Sequence, residues 1–205
     1  MAGVKRRAYL DWDYWGKPVP GFGDPHARVV LIGLAPGAHG ANRTGRMFTG
    51  DSSGDFLYRA LYETGLASQA ESRSREDGLE LHDVYITAAA RCAPPDNKPL
   101  PEELARCRPY LERELELLRQ VRVVVALGGV AFRTYLGILR DRGEIKSLAA
   151  FPFGHDRVYH FTSDPAPGLP VLIASYHPSQ QNTSTGKLTA AMLRQVFERA
   201  ATLAQ

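Results

Sequence analysis

Four short runs, Val29-Val30-Leu31-Ile32, Val84-Tyr85-Ile86-Thr87-Ala88, Val121 to Leu127 and Val171 to Tyr176, are rich in β-branched residues and separated by stretches with helical spacing. Apolar runs of that length without polar alternation suit strands buried on both faces, as in a parallel sheet covered by helices. Between them, Phe56, Leu57, Ala60, Leu61 and Leu66 share one helical face after Ser52-Ser53, which can cap the helix. Pro101-Glu102-Glu103 opens a second helix with proline at its start and acids in its first turn, and Leu104, Cys107, Leu111, Leu115 and Leu118 form its buried stripe. Gly128-Gly129 turns into a short helix, Val158 to Thr162 reads as a further strand, and a last helix runs near Leu188 to Leu203. The alternation predicts a three-layer α/β/α sandwich around a central, mostly parallel four-stranded sheet.

With 205 residues, 44% of them hydrophobic, the chain suits one domain over 1–205, in which 1–27 form an N-terminal arm carrying Tyr14, Trp15, Pro18, Pro20 and Phe22. A net charge of +3, from 25 basic against 22 acidic residues, permits a polyanionic partner without demanding one. No apolar run approaches the ~20 residues of a membrane span, and Met1 to Arg7 lack a hydrophobic signal core behind them, so the expectation is a cytoplasmic protein, a monomer without membrane contact. Two cysteines, Cys92 and Cys107, leave either buried thiols or part of a metal site rather than a disulfide framework.

Three polar loops follow strands, at the edge where open α/β sheets place their ligand crevices. The first, Gly33 to Asp51, holds Gly33, Leu34, Ala35, Pro36, Gly37, His39, Arg43, Arg46, Phe48 and Asp51, packing glycines, basic side chains, one aromatic and one acid together. The second, Arg91 to Pro99, is stiffened by Pro94, Pro95 and Pro99 and presents the Asn97 amide. The third runs from Ser175 through His177, Ser179, Gln180, Gln181 and Asn182 to Lys187. Taken singly, each residue has a plain alternative: His177 as a structural histidine, Asp51 as a helix N-cap, Phe48 as core, Arg43 and Arg46 as surface charges.

In order and spacing, Gly33-Leu34-Ala35-Pro36-Gly37, Arg43-Thr44-Gly45-Arg46, Phe48-Thr49-Gly50-Asp51, Cys92-Ala93-Pro94-Pro95 with Asn97-Lys98-Pro99, and His177-Pro178-Ser179 with Gln181-Asn182-Thr183 resemble the uracil-DNA glycosylase superfamily, in particular its type b (family five) branch. The likeness extends upstream to Pro18-Val19-Pro20-Gly21-Phe22-Gly23-Asp24-Pro25 and so covers nearly the whole chain. It implies cleavage of the N-glycosidic bond of a deaminated base in DNA (uracil, and by the branch's breadth hypoxanthine and xanthine), with DNA bearing such bases as partner. The base must first be flipped out of the duplex.

By that resemblance Phe48 stacks on the base, His177 donates to the base oxygen as negative charge develops there, and Gln180, Gln181 and Asn182 enter the helix beside Ser179, with Lys187, Arg43 and Arg46 on phosphates. Better-known members orient water with an aspartate where this chain has Ala35, and the branch shifts that task to the position of Asp51, assisted by Asn97. At the place of a base-reading asparagine in type a members stands Ala88, which implies a looser pocket. The family holds a [4Fe–4S] cluster on four thiolates, of which the sequence carries the pair Cys92 and Cys107, so that either the start lies upstream of Met1 or the cluster is lost. No magnesium or nucleotide cofactor is expected. A nucleotide-hydrolysing α/β enzyme and a non-catalytic damage binder are the rival readings. The first would need a phosphate cradle, Gly-x-x-x-x-Gly-Lys-Ser/Thr, that the sequence lacks.

Overall fold

The computed structural model describes residues 5–161 and 168–205. Six strands form one sheet: β1 (Phe22–Gly23), β2 (Val29–Gly33), β3 (Val84–Ala88), β4 (Val123–Leu127), β5 (Arg157–Tyr159) and β6 (Val171–Ser175), in the order β1-β3-β2-β4-β6-β5. The central four are parallel to one another, as expected, and each edge carries a short antiparallel strand, β1 on β3 and β5 on β6. The sheet is therefore wider than the four strands read from the sequence. The two-residue strand β1 was too short to leave a period-two signal and belongs to the stretch read as an arm. The predicted strand ending at Thr162 is shorter, and Thr162 itself lies outside the described residues.

Strand alternation sorts the core into two layers. Val29, Leu31, Val123 and Val125 face the cluster of Leu57, Tyr58, Leu61, Val196 and Phe197, contributed by α2 (Ser52–Glu63), which follows the short α1 (Ala41–Thr44), and by α6 (Ala190–Leu203). Val30, Ile32, Val124 and Ala126 face Leu111, Phe132, Leu136 and Leu139 from α3 (Pro101–Leu117) and α4 (Gly129–Asp141). The helix on Pro101 does begin there, with Glu103 accepting the backbone N–H of Leu100, but of its expected stripe only Leu111 is fully buried within α3; Leu104, Cys107 and Leu115 are half-covered. The charged side of α3 is tied by Arg108 to Glu112 and Asp141, and beneath it Glu114 accepts hydrogen bonds from Thr87 (2.6 Å) and Tyr85 (3.0 Å) and pairs with Arg91.

The chain runs from β2 outward to β3 and then returns to place β4 on the other flank of β2. That reversal opens a crevice at the carboxyl ends of β2 and β4, where side chains from successive loops can converge.

Candidate active site

A cleft of about 710 Å³ lies at this edge, lined by all three polar loops: Leu34, Ala35 and Gly37 after β2, Asn97 after β3, and His177, Ser179, Gln180 and Gln181 after β6. Gly33, Pro36 and Ala88 are buried and are not among the residues that line it. Gly33 and Ala88 pair side by side in the sheet, so a side chain at 88 is covered by the structure around it rather than turned to a ligand. The pocket-lining expectation for these three is thereby corrected to a supporting one.

Phe48 sits at the crossing of the loops, its ring 5.8 Å from that of His177 at an interplanar angle of 33°. A Cβ on Gly33 would come within 2.8 Å of this ring, so glycine there lets the aromatic lie flat on the strand's end. Phe48 itself has φ of 52°, uncommon for a residue with a Cβ. Its neighbours hold it there: the Tyr58 hydroxyl donates to the Met47 carbonyl (2.8 Å), the Ser72 hydroxyl donates to the Phe48 carbonyl (3.2 Å), and Gly50 N–H donates to Ser72.

Three residues after Phe48, Asp51 is the N-cap of α2, its Oδ1 accepting from Gly54 N–H at 3.0 Å. The Ser52-Ser53 cap expected from the sequence is displaced by one residue: the acid caps and the serines form the first turn. The other oxygen, Oδ2, lies over Gly37 and Gly40; a Cβ on Gly37 would stand 2.8 Å from it, and one on Gly40 would overlap the carboxyl group. The glycines of the first loop thus make a cradle for this one carboxylate. Burial raises its pKa above the ordinary aspartate value, against the lowering pull of the Gly54 and Ser53 backbone N–H groups and of Arg43. A carboxylate that lines a cleft and is made more basic by burial suits proton abstraction from water.

His177 leaves β6 beside Gly128, whose absent side chain lets the two loops approach: a Cβ there would stand 3.2 Å from the histidine Cβ. Burial lowers its pKa to about 4, so at neutral pH the imidazole is uncharged and carries one N–H. Its carbonyl accepts from the Asn182 side chain at 2.8 Å. Asn182 and Ser179 therefore brace the loop: the Ser179 hydroxyl caps α5 (Gln180–Ser184), a short helix within the polar stretch Ser175 to Lys187. Gln180 and Gln181 are exposed at the cleft, as is Asn97, and Lys187 packs its ammonium 4.9 Å from the Tyr176 ring centre.

Arg43 and Arg46 are the clearest correction. Expected on phosphates, they are 4% and 3% exposed. Arg43 donates to the carbonyls of His39 (2.7 Å) and Gly50 (2.9 Å), with its guanidinium about 4 Å from the Tyr9 and Trp12 ring centres. Arg46 donates to Thr49 (2.9 Å) and grips Asp77 with two 2.7 Å bonds. Desolvation works to raise Asp77, but the Arg46 bonds and the N–H groups of Leu79, Arg73 and Ser74 hold it down at about 2. Glycine-rich loops attract the reading "phosphate", yet Arg43 satisfies carbonyls that the turn would otherwise leave unpaired, and Arg46 a buried hydroxyl and a carboxylate. Conversely, the cleft is also lined by Arg6 and Tyr9 of the arm, which carried no local signal. They arrive there because Arg43 seats the arm's aromatics.

Cys107 accepts the Arg91 backbone N–H through sulfur at 3.4 Å, and Cys92 is exposed beside it. Burial, Cys107 and Glu103 push the Cys92 thiol up. No group of three or more His, Cys, Asp or Glu side chains suited to a metal occurs among the described residues, so the two thiols alone do not fit a four-thiolate cluster. No helix among the described residues is long and apolar enough to cross a membrane.

The fold and cleft define an α/β protein of hydrolytic type, with a basic-tuned carboxylate, a neutral imidazole and an aromatic platform around one crevice. Residues 20–201 match the family model described as the uracil DNA glycosylase superfamily, and the chain belongs to that family, whose members act on N-glycosyl bonds. It is 54% identical over 200 residues to a type-5 uracil-DNA glycosylase of Thermus thermophilus, covering 98% of this chain and 86% of that one. A type-5 uracil-DNA glycosylase of Mycobacterium leprae is 47% identical over 205 residues, covering 100% and 86%. One of Pyrobaculum aerophilum is 49% identical over 195 residues, covering 95% and 80%.

Proposed function

We propose that the protein hydrolyses the N-glycosidic bond of uracil in DNA, and of the other deaminated bases hypoxanthine and xanthine, leaving an abasic site. The observation that carries this reading is the pairing of Asp51, buried in its glycine cradle, with the neutral His177 and Phe48 across one cleft. A flipped base stacks on Phe48, and the His177 N–H bonds the base oxygen on which charge accumulates as the glycosidic bond lengthens. Asp51 accepts a proton from the water that attacks the oxocarbenium-like sugar, with Asn97 orienting that water; the departing base carries off the bonding electron pair. Gln180 and Gln181 fill the gap in the duplex while Asn182 holds the His177 backbone. Cys92 and Cys107 take no part in these steps. Ala35 and Gly37 leave the base edge free of large side chains, which supports acceptance of purines as well as uracil.

The test is single-turnover cleavage of duplexes carrying uracil, hypoxanthine or xanthine, in EDTA, with alkali to reveal abasic sites. Product from all three is the expected result. Uracil cleavage alone overturns the broad range, and no product from any of them overturns the activity. A damage binder without chemistry would bind the duplexes and leave them whole.

A further inference from the structure

Burial of Arg43 and Arg46 removes the two cations the first loop offers, and leaves open what holds the DNA backbone at the cleft. His39 lines the cleft next to Gly40 of the carboxylate cradle, and the catalytic scheme makes no use of it. The Tyr14 hydroxyl meets its Nδ1 at 2.9 Å, with the two rings edge to face at 82°. With Nδ1 engaged, Nε2 is the ring nitrogen free to meet a ligand. The hydroxyl can accept as readily as donate, so the pair tolerates either protonation state of the imidazole. Arg6 lines the same cleft, is exposed, and joins no ion pair among the described residues, whereas Arg28, Arg46, Arg91, Arg108 and Arg199 each hold a carboxylate. It lies close enough to His39 to act on it electrostatically.

We propose that Arg6 and His39, the latter oriented by Tyr14, form a binding corner for a backbone phosphodiester beside the flipped nucleotide. The proposal rests on the glycosylase reading for its ligand. A phosphodiester oxygen takes the Arg6 guanidinium on one side and the His39 Nε2–H on the other, which is a charge-assisted pair once the imidazole is protonated. The groups facing His39 are Tyr14, Arg6 and Arg43, and both arginines act against the imidazolium, as burial does more strongly. A bound anion reverses that balance, so binding takes up a proton at His39 and tightens as the pH falls through the ordinary histidine range. The arm then forms one wall of the substrate site, seated by the stacking of Arg43 on Tyr9 and Trp12.

The experiment is fluorescence anisotropy with a duplex carrying 2′-fluoro-2′-deoxyuridine, which resists glycosidic hydrolysis, at 50–250 mM salt and pH 5.5–8. Arg6→Gln is expected to weaken binding roughly tenfold and to lower the slope of log affinity against log salt by about 0.9. Arg7→Gln, an equal loss of charge one residue on, leaves the slope unchanged. His39→Asn abolishes the tightening at low pH, and Tyr14→Phe, which keeps the ring packing, reduces it. Equal effects of the Arg6 and Arg7 changes, or an unaltered pH dependence in His39→Asn, overturn the proposal. So does an altered ranking of uracil against hypoxanthine in His39→Asn with its pH dependence intact, which would place His39 on the base. Binding is read without turnover. A wild type that binds but never excises overturns the glycosylase reading while the salt and pH comparisons still decide this one.

Discussion

Replacing Asp51 by asparagine separates its N-cap role from the proposed role as base. As N-cap it accepts the Gly54 N–H through Oδ1, and asparagine caps about as well as aspartate, whereas alanine costs about 1 kcal/mol. As base it must be ionised, and asparagine cannot take a proton. General-base catalysis contributes roughly 10²–10⁴-fold, or about 3–5 kcal/mol of barrier. Because burial raises the carboxyl pKa, the folded state favours the protonated form more than the unfolded chain does. Stability from this group is therefore greatest at low pH and is lost as the pH rises through the unfolded and then the folded value. Asp51→Asn removes that penalty, so the variant unfolds at equal or higher urea than wild type at pH 7 and gains less at pH 4. Single-turnover excision and urea unfolding on the same preparations measure both quantities. Asp51→Ala loses the rate and about 1 kcal/mol together. If Asp51→Asn excises within threefold of wild type, the residue is a cap and the water is activated elsewhere.

His177, neutral with a pKa near 4, adds an acid limit: its stabilisation is complete above the unfolded value of about 6.5 and is lost as the pH falls toward 4, by at most about 3 kcal/mol. His177→Gln flattens urea midpoints over that range, and NMR of the wild-type imidazole at pH 6 shows the uncharged ring; a charged ring there refutes the assignment. Arg46→Met leaves Asp77 with only its backbone N–H partners and costs about 1–3 kcal/mol in stability with no change in the salt slope of DNA binding, and a slope that falls by one instead puts Arg46 on a phosphate. Phe48→Ala removes a stacking face worth about 1–3 kcal/mol, read as weaker binding of an extrahelical base. Gly33→Ala, which drives a Cβ to 2.8 Å from the Phe48 ring, reproduces part of that loss, and full activity in Gly33→Ala refutes the platform geometry.

The parallel strands were legible because each is a run of apolar residues facing two covered layers, and that pattern has no competing explanation in Val29–Ile32 or Val123–Leu127. The edges were not: β1 spans two residues, and α5 is one short turn capped by Ser179, so neither builds a period. Asp51, His177 and Phe48 could be picked out because each departs from its surroundings in residue type, an acid before a helix, a histidine after a strand, an aromatic among glycines. What the sequence could not convey is direction. Arg43 turns inward to His39 and Gly50, and Ala88 is sealed beside Gly33, although both lie in stretches that read as site. Arg6 and Tyr9 reach the cleft, and Tyr14 reaches His39 on its rim, through long-range contacts that no local spacing encodes.

The inward turn of the two arginines changes what the first loop is for. Phe48 at φ of 52° carries backbone strain that must be offset by contacts around it. Thr49, fully buried, accepts from Arg46 and Ser72 and donates to the Met47 carbonyl; Thr44 lies within reach of the carbonyls of Gly40 and Thr49; Arg43 donates to Gly50. Apart from the Thr44–Gly40 bond, each of these ends on the backbone or a side chain within a few residues of Phe48 or Asp51, and the Arg46–Asp77 pair ties the assembly to the polar stretch before β3. The basic residues thus act on the substrate at one remove, by fixing the aromatic and the carboxylate that would touch it. Arg43 and Arg46, held in this way, are turned away from the cleft, and the cation proposed for the DNA backbone beside His39 comes instead from the arm, which Arg43 itself seats.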